Sequence, residues 1–214
     1  MVLGAQPAIL WFWFYWQFFQ IFSITFFLIF PFVFFIGVLV LIFGSTIVAK
    51  FFLFFINFIH KPKEGVFNRN KGSKDYRFWS LRAIVRKWPI WLARQLSIPI
   101  IEIIIYKILG GKAHFSSSIH DAWVDCEFIE IGKNVKLGQG SIVASSMVVG
   151  NKLIIRNVII KDEVIVGSQS VVSPGTIIET NTILDSLSVT CVNQHLESNE
   201  FYWGTPPKKV EKIP

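Results

Sequence analysis

The chain has 214 residues, of which 52% are hydrophobic and only 16% are charged, and it contains 22 Phe and 8 Trp. Soluble domains average about 25% charged residues, so this composition excludes a disordered or fibrous chain and argues against an ordinary soluble domain. The formal net charge of +7 would by itself suit a nucleic-acid binder. Two cysteines, Cys126 and Cys191, are too few for a disulfide framework.

The charges are distributed unevenly along the chain. Residues 1–49 contain no Asp, Glu, Lys or Arg, residues 50–112 contain 13 Lys and Arg against 3 Asp and Glu, and residues 113–214 contain 8 against 11. A nucleic-acid binder spreads its basic surface over a folded face, whereas a basic band beside an apolar segment follows the positive-inside rule. The pattern predicts an integral membrane protein whose C-terminal part lies in the cytoplasm, and nucleic acid is not an expected partner.

Residues 1–59 form the predicted membrane segment. One span needs about 20 apolar residues, and the uncharged stretch from Ile9 onward is long enough for two. Because helices often end before a proline, Pro31 is the predicted break, with transmembrane helices over 8–30 and 32–55 joined as a hairpin. The apolar turn around Pro31 leaves open a re-entrant hairpin that does not cross the bilayer.

Residues 60–112 are predicted to be a basic linker followed by amphipathic helices at the membrane interface. Over 77–110, basic residues alternate with apolar and aromatic ones, and Pro89 and Pro99 are expected to divide the segment into three short helices. Basic amphipathic helices with tryptophan commonly lie among lipid headgroups. The alternative is that the apolar face packs on the C-terminal domain.

A six-residue repeat begins at Ile129. The chain reads IEIGKN, VKLGQG, SIVASS and MVVGNK, and after LIIRN it continues as VIIKDE, VIVGSQ, SVVSPG, TIIETN and TILDSL. The third residue of every hexad is aliphatic: Ile131, Leu137, Val143, Val149, Ile160, Val166, Val172, Ile178 and Leu184. Such a period marks a solenoid of triangular coils, with the aliphatic residues stacked inside and Gly, Asn or Asp at the corners. A sandwich or barrel, the alternative, would show turns every 8–12 residues instead.

The repeat slips once, between Val149 and Ile160, and a loop is expected to leave the coil there. The predicted fold class is therefore a membrane α-helical hairpin followed by an all-β parallel β-helix over 113–198, with a C-terminal tail over 199–214.

These features resemble the hexapeptide-repeat acyltransferase family, whose fold is a left-handed parallel β-helix. The ending FYWGTPPKKV, residues 201–210, resembles the family's closing W-x-G-x-P-A-K motif. The basic connector followed by WVDCEFIEIG, residues 123–132, is similar to a membrane-anchored subgroup that includes the C-terminal region of poly-lysine-type non-ribosomal peptide synthetases. The resemblance covers roughly residues 76–212. It implies a homotrimer, with acyl-CoA bound as cosubstrate between neighbouring β-helices.

The resemblance also implies a general base. In many relatives a histidine just before the phase slip removes a proton from the acceptor, and the matching position here, in SSMVVGNKL, is Ser146. A serine hydroxyl is not a base near neutral pH, and as a nucleophile it needs an adjacent base. The other catalytic candidates are His120, which has acidic neighbours, and His195, near the C-terminal motif. Each is alternatively a surface or capping histidine.

The predicted CoA-binding residues, also by resemblance, are Trp203, Gly204, Lys208 and Lys209, since a lysine suits a phosphate as a point charge. The alternative is a solvated charged tail. No metal site is predicted, because the cysteines and histidines show no ligand spacing.

Two functional hypotheses follow. The first is a membrane-anchored, CoA-dependent acyltransferase that acts on an unknown acceptor at the cytoplasmic membrane face. The second is a non-catalytic trimeric scaffold that lacks the usual histidine. The expected partners are the lipid bilayer, acyl-CoA and further copies of the chain.

Overall fold

The computed structural model describes residues 2–18, 23–70, 72–96, 98–119 and 121–210. Within them lie four α-helices and a parallel β-solenoid. The helices are α1 (Val2–Phe18), α2 (Ile24–Ile59), α3 (Lys74–Gln95) and α4 (Pro99–Ile108).

The break between the first two helices precedes Ser23, and the predicted break at Pro31 is wrong. Ser23 caps α2, because its Oγ accepts a hydrogen bond from the backbone N–H of Phe26 at 3.1 Å. Pro31 lies inside α2. A proline within an apolar helix removes one backbone hydrogen bond, and packing against a neighbouring helix compensates for the loss. The N-cap serine is therefore the stronger boundary signal.

Helices α1 and α2 form an antiparallel hairpin that small residues bring together. A Cβ atom added at Gly4 would lie 2.9 Å from Ser45 Cα, and one added at Gly37 would lie 2.7 Å from the Phe12 ring. Close approach at glycine is the usual packing of helices in lipid. Near the turn, the Tyr15 hydroxyl donates to the carbonyl of Phe26 at 2.7 Å.

Helix α2 is, by length and composition, the one described helix that is long and apolar enough to cross a membrane. Its 36 residues correspond to a length of about 54 Å at 1.5 Å per residue. Helix α2 is therefore longer than the hydrocarbon core of a bilayer is thick, which is about 30 Å.

Helix α3 runs through Pro89, and Pro99 begins α4, so the connector contains two helices and not the three that were predicted. Pro89 is buried, which indicates that packing stabilises the helix despite the lost hydrogen bond.

Helix α3 buries two arginines and exposes several large apolar side chains. Its buried side chains include Arg82, which is 1% exposed, and Arg86. Leu81, Ile84 and Trp91, at helical spacing, form its exposed apolar stripe. Arg82 and Arg86 therefore face the protein, whereas the side chains of the apolar stripe are exposed.

The remaining chain forms short strands in four sheets. The strands are β1 (Gly65–Asn68), β2 (Lys112–Ala113), β3 (Trp123–Val124), β4 (Ile129–Ile131), β5 (Lys136–Leu137), β6 (Ile142–Val143), β7 (Ser146–Val149), β8 (Lys152–Ile155), β9 (Val158–Ile160), β10 (Ile165–Val166), β11 (Val171–Val172), β12 (Ile177–Ile178), β13 (Ile183–Leu184), β14 (His195–Leu196), β15 (Phe201–Gly204) and β16 (Pro207–Val210). Three sheets, in the orders β16-β15-β13-β10-β5, β14-β12-β9-β4-β2 and β11-β6-β3, are the sides of the solenoid, and β1-β8-β7 is a separate antiparallel sheet.

The parallel register stacks the aliphatic residues in ladders, as the hexads predict. One ladder joins Ala113, Ile131, Ile160, Ile178 and Leu196, all buried. On the next side, Leu137, Val166 and Leu184 are followed by Tyr202 in β15. The coil therefore continues to Gly204, which is beyond the predicted boundary at residue 198.

Val149 is the exception among the nine third-position residues, because it is 54% exposed while the other eight are buried. The chain leaves the coil at β7 and returns through β8, and these strands form an antiparallel hairpin. The hexad MVVGNK thus belongs to the loop that the phase slip predicts and not to the coil. Leu153 and Ile155 in β8 are buried instead.

The corners of the solenoid have left-handed backbone at every sixth residue. Over the C-terminal coils the positive-φ residues are Glu163, Gln169, Gly175, Asn181, Leu187, Asn193 and Asn199. Gly and Asn adopt this conformation at low cost, whereas other residues are strained by it.

Candidate active site

Ser146 lies where the chain leaves the coil, as the first residue of β7. The backbone of Ile155 pairs with it across the hairpin, and Ile155 pairs in turn with Gly65 of β1. A strand from the connector thus fixes the hairpin from its far side. Ser146 is consequently held in regular secondary structure.

Asp125 accepts three hydrogen bonds at this point. Its Oδ2 receives the backbone N–H of Ser145 at 3.1 Å, the Ser145 hydroxyl at 3.3 Å and the Ser146 hydroxyl at 3.2 Å. Asp125 follows β3, and its backbone N–H donates to the carbonyl of Val143 at 3.1 Å. Stacking of successive coils therefore places this carboxylate beside Ser146.

Burial raises the pKa of the Asp125 carboxyl, and the hydrogen bonds from Ser145 and Ser146 partly oppose that shift. A carboxylate with a raised pKa is a better general base than an ordinary one, because its proton affinity is closer to that needed at neutral pH. The pair of Asp125 and Ser146 supplies the adjacent base that the sequence around the serine lacks.

A pocket of about 310 Å³ opens between α3 and the solenoid at this pair. Its walls include Asp125, Ser145 and Ser146 from the coil, and Ile84 and Trp91 from the exposed stripe of α3. The pocket therefore extends from a buried carboxylate to the apolar outer face of a helix.

Cationic side chains line the same pocket. Arg94 lies with its guanidinium carbon 4.9 Å from the centroid of the Trp123 ring, and Lys87 Nζ lies 5.7 Å from it. The Arg94 Nε also donates to Glu102 Oε1 at 3.0 Å. These groups add positive charge to the lining of the pocket, which would suit an anionic or phosphorylated ligand.

Behind the pocket, a charged cluster attaches α3 to the coil. Glu127 Oε1 lies 2.7 Å from Arg82 Nε and 2.8 Å from Arg86 Nη1. Burial lowers the pKa of Arg82, and the neighbouring Glu127 carboxylate opposes that shift. Removal of one partner from such a cluster would leave a buried charge unpaired.

Cys126 lines the pocket, but its thiol is not a neutral-pH nucleophile. Burial raises its pKa to about 12. The thiolate is the reactive form of cysteine, so this side chain acts as a small apolar residue of the core.

His195 lies away from Ser146, on the sheet that contains β14 and β12. It is exposed, and its Nε2 lies 3.1 Å from Glu179 Oε1, while Lys161 Nζ lies 2.6 Å from the other oxygen of that carboxylate. Hydrogen bonds from Lys161 and then His195 lower the pKa of Glu179. His120, the other histidine candidate, lies outside the described residues.

The predicted CoA-binding residues come together in the hairpin of β15 and β16. Trp203 pairs with Lys208 in register, and Gly204 pairs with Pro207. Lys209 Nζ lies 2.8 Å from Glu200 Oε1, and this contact raises the pKa of Lys209. Gln194, next to His195, donates to the carbonyl of Pro207 at 2.9 Å. These residues thus share one end of the solenoid with His195, whereas Ser146 lies at the α3 pocket.

Sequence reasoning identified Ser146 but did not pair it with Asp125, which is 21 positions earlier. The signal was available in the repeat, because three hexads make one coil of 18 residues and bring Asp125 beside Val143. Among the described residues, no group of three His, Cys, Asp or Glu side chains is arranged to hold a metal ion.

Comparison with known proteins gives similarity to solved structures only. No protein-family model and no curated protein matches the chain. A hexapeptide-repeat-containing acetyltransferase from Vibrio cholerae, complexed with acetyl coenzyme A, is 17% identical over 68% of this chain and 92% of its own, with a TM-score of 0.48. A maltose O-acetyltransferase from Clostridium difficile is 17% identical over 71% and 94%, with a TM-score of 0.47. An N-acyltransferase from Bacillus cereus is 18% identical over 49% and 86%, with a TM-score of 0.35.

Proposed function

We propose that this protein is a membrane-anchored, CoA-dependent acyltransferase whose reaction takes place in the α3 pocket. The observation that supports the proposal best is the contact between Asp125 and Ser146 at the phase slip, in a pocket with cationic side chains in its lining. This arrangement places a base, a hydroxyl and room for a ligand at the position where the family resemblance expects the acceptor.

Asp125 is the proposed general base. Among the described residues, the hydrogen bonds to its carboxylate all reach Oδ2, which leaves Oδ1 for the hydroxyl or amine of the acceptor. The acceptor attacks the thioester carbonyl, its proton passes to Asp125, the new acyl bond forms and the C–S bond breaks. The proton then passes to the CoA sulfur. Ser146 positions the carboxylate through its hydrogen bond.

The family resemblance supports several further assignments, which we also propose. We infer a left-handed coil and a homotrimer with CoA between neighbouring β-helices, in the membrane-anchored subgroup of the family. We infer also that α2 crosses the bilayer in a hairpin with α1, and that the β-helix lies in the cytoplasm. Trp203, Gly204, Lys208 and Lys209 remain the proposed CoA contacts, and His195 and His120 remain alternative bases.

A non-catalytic scaffold is the second candidate. It is favoured by Ser146 at the position of the usual histidine and by the surface ion pair of His195 with Glu179. Under this hypothesis, Asp125 would be a structural cap for the hairpin.

Titration of acetyl-CoA into the full chain in detergent micelles distinguishes the two hypotheses. We expect calorimetric binding by the wild type and by Asp125→Asn, together with slow release of free CoA by the wild type alone. Free CoA is measured with a thiol reagent. The assay should therefore be run in a Cys191→Ser background, because the exposed thiol of Cys191 would react with that reagent. Absence of binding at millimolar acetyl-CoA would refute the acyltransferase proposal.

A further inference from the structure

We propose that the acceptor is a membrane lipid with a hydroxyl or amine headgroup, which reaches Asp125 sideways from the bilayer along α3. This inference rests on the proposed acyltransferase function and specifies its substrate class. The supporting observation is that residues of the exposed apolar stripe of α3 also form a wall of the pocket that contains the Asp125 carboxylate.

The outward face of α3 exposes large apolar side chains. Ile84 is 65% exposed and Trp91 is 48% exposed. Leu81 continues the stripe by one turn, and Trp88 stacks on Trp91 with ring centroids 5.2 Å apart. Lys87 is exposed between Ile84 and Trp91, so the stripe is apolar with a basic group on the same face. It fits contact with lipid at the membrane interface.

The start of α3 contacts the C-terminal end of α2. His60, which ends α2, stacks on Phe78 at 4.8 Å, and its Nε2 lies 3.0 Å from Asp75 Oδ1. Arg82 also donates to the carbonyl of His60 at 3.3 Å. The start of α3 is therefore attached to the point where the apolar helix ends. With α2 crossing the bilayer as proposed, this attachment holds α3 near the membrane surface.

The exposed stripe of α3 extends into the pocket that contains Asp125. Ile84 and Trp91 line the same 310 Å³ space as Asp125 and Ser146. A lipid could keep its chains along the apolar side chains while its headgroup reaches the carboxylate. Lys87 and Arg94 line this route as well, and their charges complement the phosphate of a phospholipid. A water-soluble acceptor would gain nothing from the apolar side of the pocket.

The test uses the full chain reconstituted in phosphatidylcholine vesicles that contain a photoactivatable phosphatidylethanolamine. After illumination, mass spectrometry maps the cross-linked peptides. We expect labelling of the pocket segments 123–128 and 145–155. Ile84→Gln should lower this labelling about tenfold, because it removes most of the apolar contact of one large side chain.

Ile165→Gln is the matched control, because it makes the same change at an exposed site on the solenoid and should leave labelling unchanged. Circular dichroism of both variants verifies the fold. Excess soluble glycerophosphoethanolamine, which has the headgroup without the chains, should not compete.

The lipid assignment is overturned by the absence of label in the pocket segments or by labelling that Ile84→Gln leaves intact. Competition by the soluble headgroup would also overturn it. Acetyl-CoA titration of the same vesicles separates the two proposals. Binding of acetyl-CoA without pocket labelling refutes the lipid acceptor alone, whereas labelling without acetyl-CoA binding refutes the acyltransferase function.

Discussion

Leu187 is a leucine at a solenoid corner where the backbone requires left-handed geometry. Its φ is 61°, and its side chain is 66% exposed. The equivalent corners one coil segment before and after it are Asn181 and Asn193. A left-handed conformation costs an ordinary residue roughly 1–2 kcal/mol, and asparagine relieves part of that cost through its short polar side chain. We therefore predict that Leu187→Asn stabilises the protein by about 0.5–1 kcal/mol.

The magnitude can be converted to a melting temperature. For a chain of 150–250 residues, 1 kcal/mol shifts the midpoint by about 2–4 °C, so Leu187→Asn should raise it by about 1–4 °C. Circular dichroism of the full chain in detergent micelles measures the shift. Gly175→Ala should act in the opposite direction, since its φ is 80° and the added Cβ would meet the side chain of Asn193. The expected decrease is about 2–8 °C, from a cost of roughly 1–2 kcal/mol.

Val149→Asn serves as the control, because it removes an exposed apolar side chain in β7, where the backbone is ordinary strand. It should leave the melting temperature unchanged or lower it, since asparagine is disfavoured in strands. If Leu187→Asn lowers the midpoint, or if Val149→Asn raises it equally, corner strain is not what limits stability here.

Three further predictions concern Asp125 and the hairpin of α1 and α2. Asp125→Asn should lower CoA release about 10²–10⁴-fold while acetyl-CoA binding is retained, as expected for loss of a general base; unchanged release would assign the base elsewhere. Because burial raises the pKa of Asp125, the native state binds this proton more tightly than the unfolded chain does. The wild type therefore loses stability as the pH rises above the ordinary aspartate pKa. The stability of Asp125→Asn relative to the wild type should therefore increase from about pH 4 to pH 7 in urea titrations, and a pH-independent difference would contradict this reasoning. Gly37→Leu should destabilise the helix hairpin by about 1–3 kcal/mol through overpacking against Phe12. Gly72→Ala, where an added Cβ has no heavy atom within 4 Å, is the control, and equal effects on the micelle-bound melting temperature would rule out close helix packing as the cause.

The solenoid could be predicted from the sequence because its period is local and repeats many times. Eight of the nine third-position residues are buried, and the phase slip marks the hairpin correctly. Val149 was misplaced because its hexad has the same pattern as its neighbours, and the antiparallel pairing that removes it from the coil involves β8 and β1. The pairing of β7 with β8 is local, as between Val149 and Lys152. The pairing of β8 with β1 joins residues 80 or more positions apart, as between Gly65 and Ile155, and periodicity does not encode it.

The helical region was predicted less well, because proline was given too much weight as a break. Pro31 and Pro89 both lie inside helices. Pro89 is buried, so packing stabilises α3 despite the lost hydrogen bond, whereas Pro31 is exposed within an apolar helix. Tertiary context of this kind is not visible in a local pattern. The inward orientation of Arg82 and Arg86 was also missed, since it depends on Glu127, which lies more than 40 positions further along the chain.

The serine at position 146 has a different meaning once its partner is known. Considered alone, replacement of the usual histidine by Ser146 suggests a catalytic site that has been lost. The hydrogen bond at 3.2 Å places the Asp125 carboxylate of the preceding coil beside Ser146, and burial raises the pKa of that carboxyl. A lost site would have no need to keep a carboxylate in a partly buried position, because burial of a charge is costly unless hydrogen bonds or function compensate. The three hydrogen bonds reduce that cost without restoring an ordinary pKa. The raised pKa and the hydrogen bond to Ser146 are the observations on which the proposal of Asp125 as general base rests.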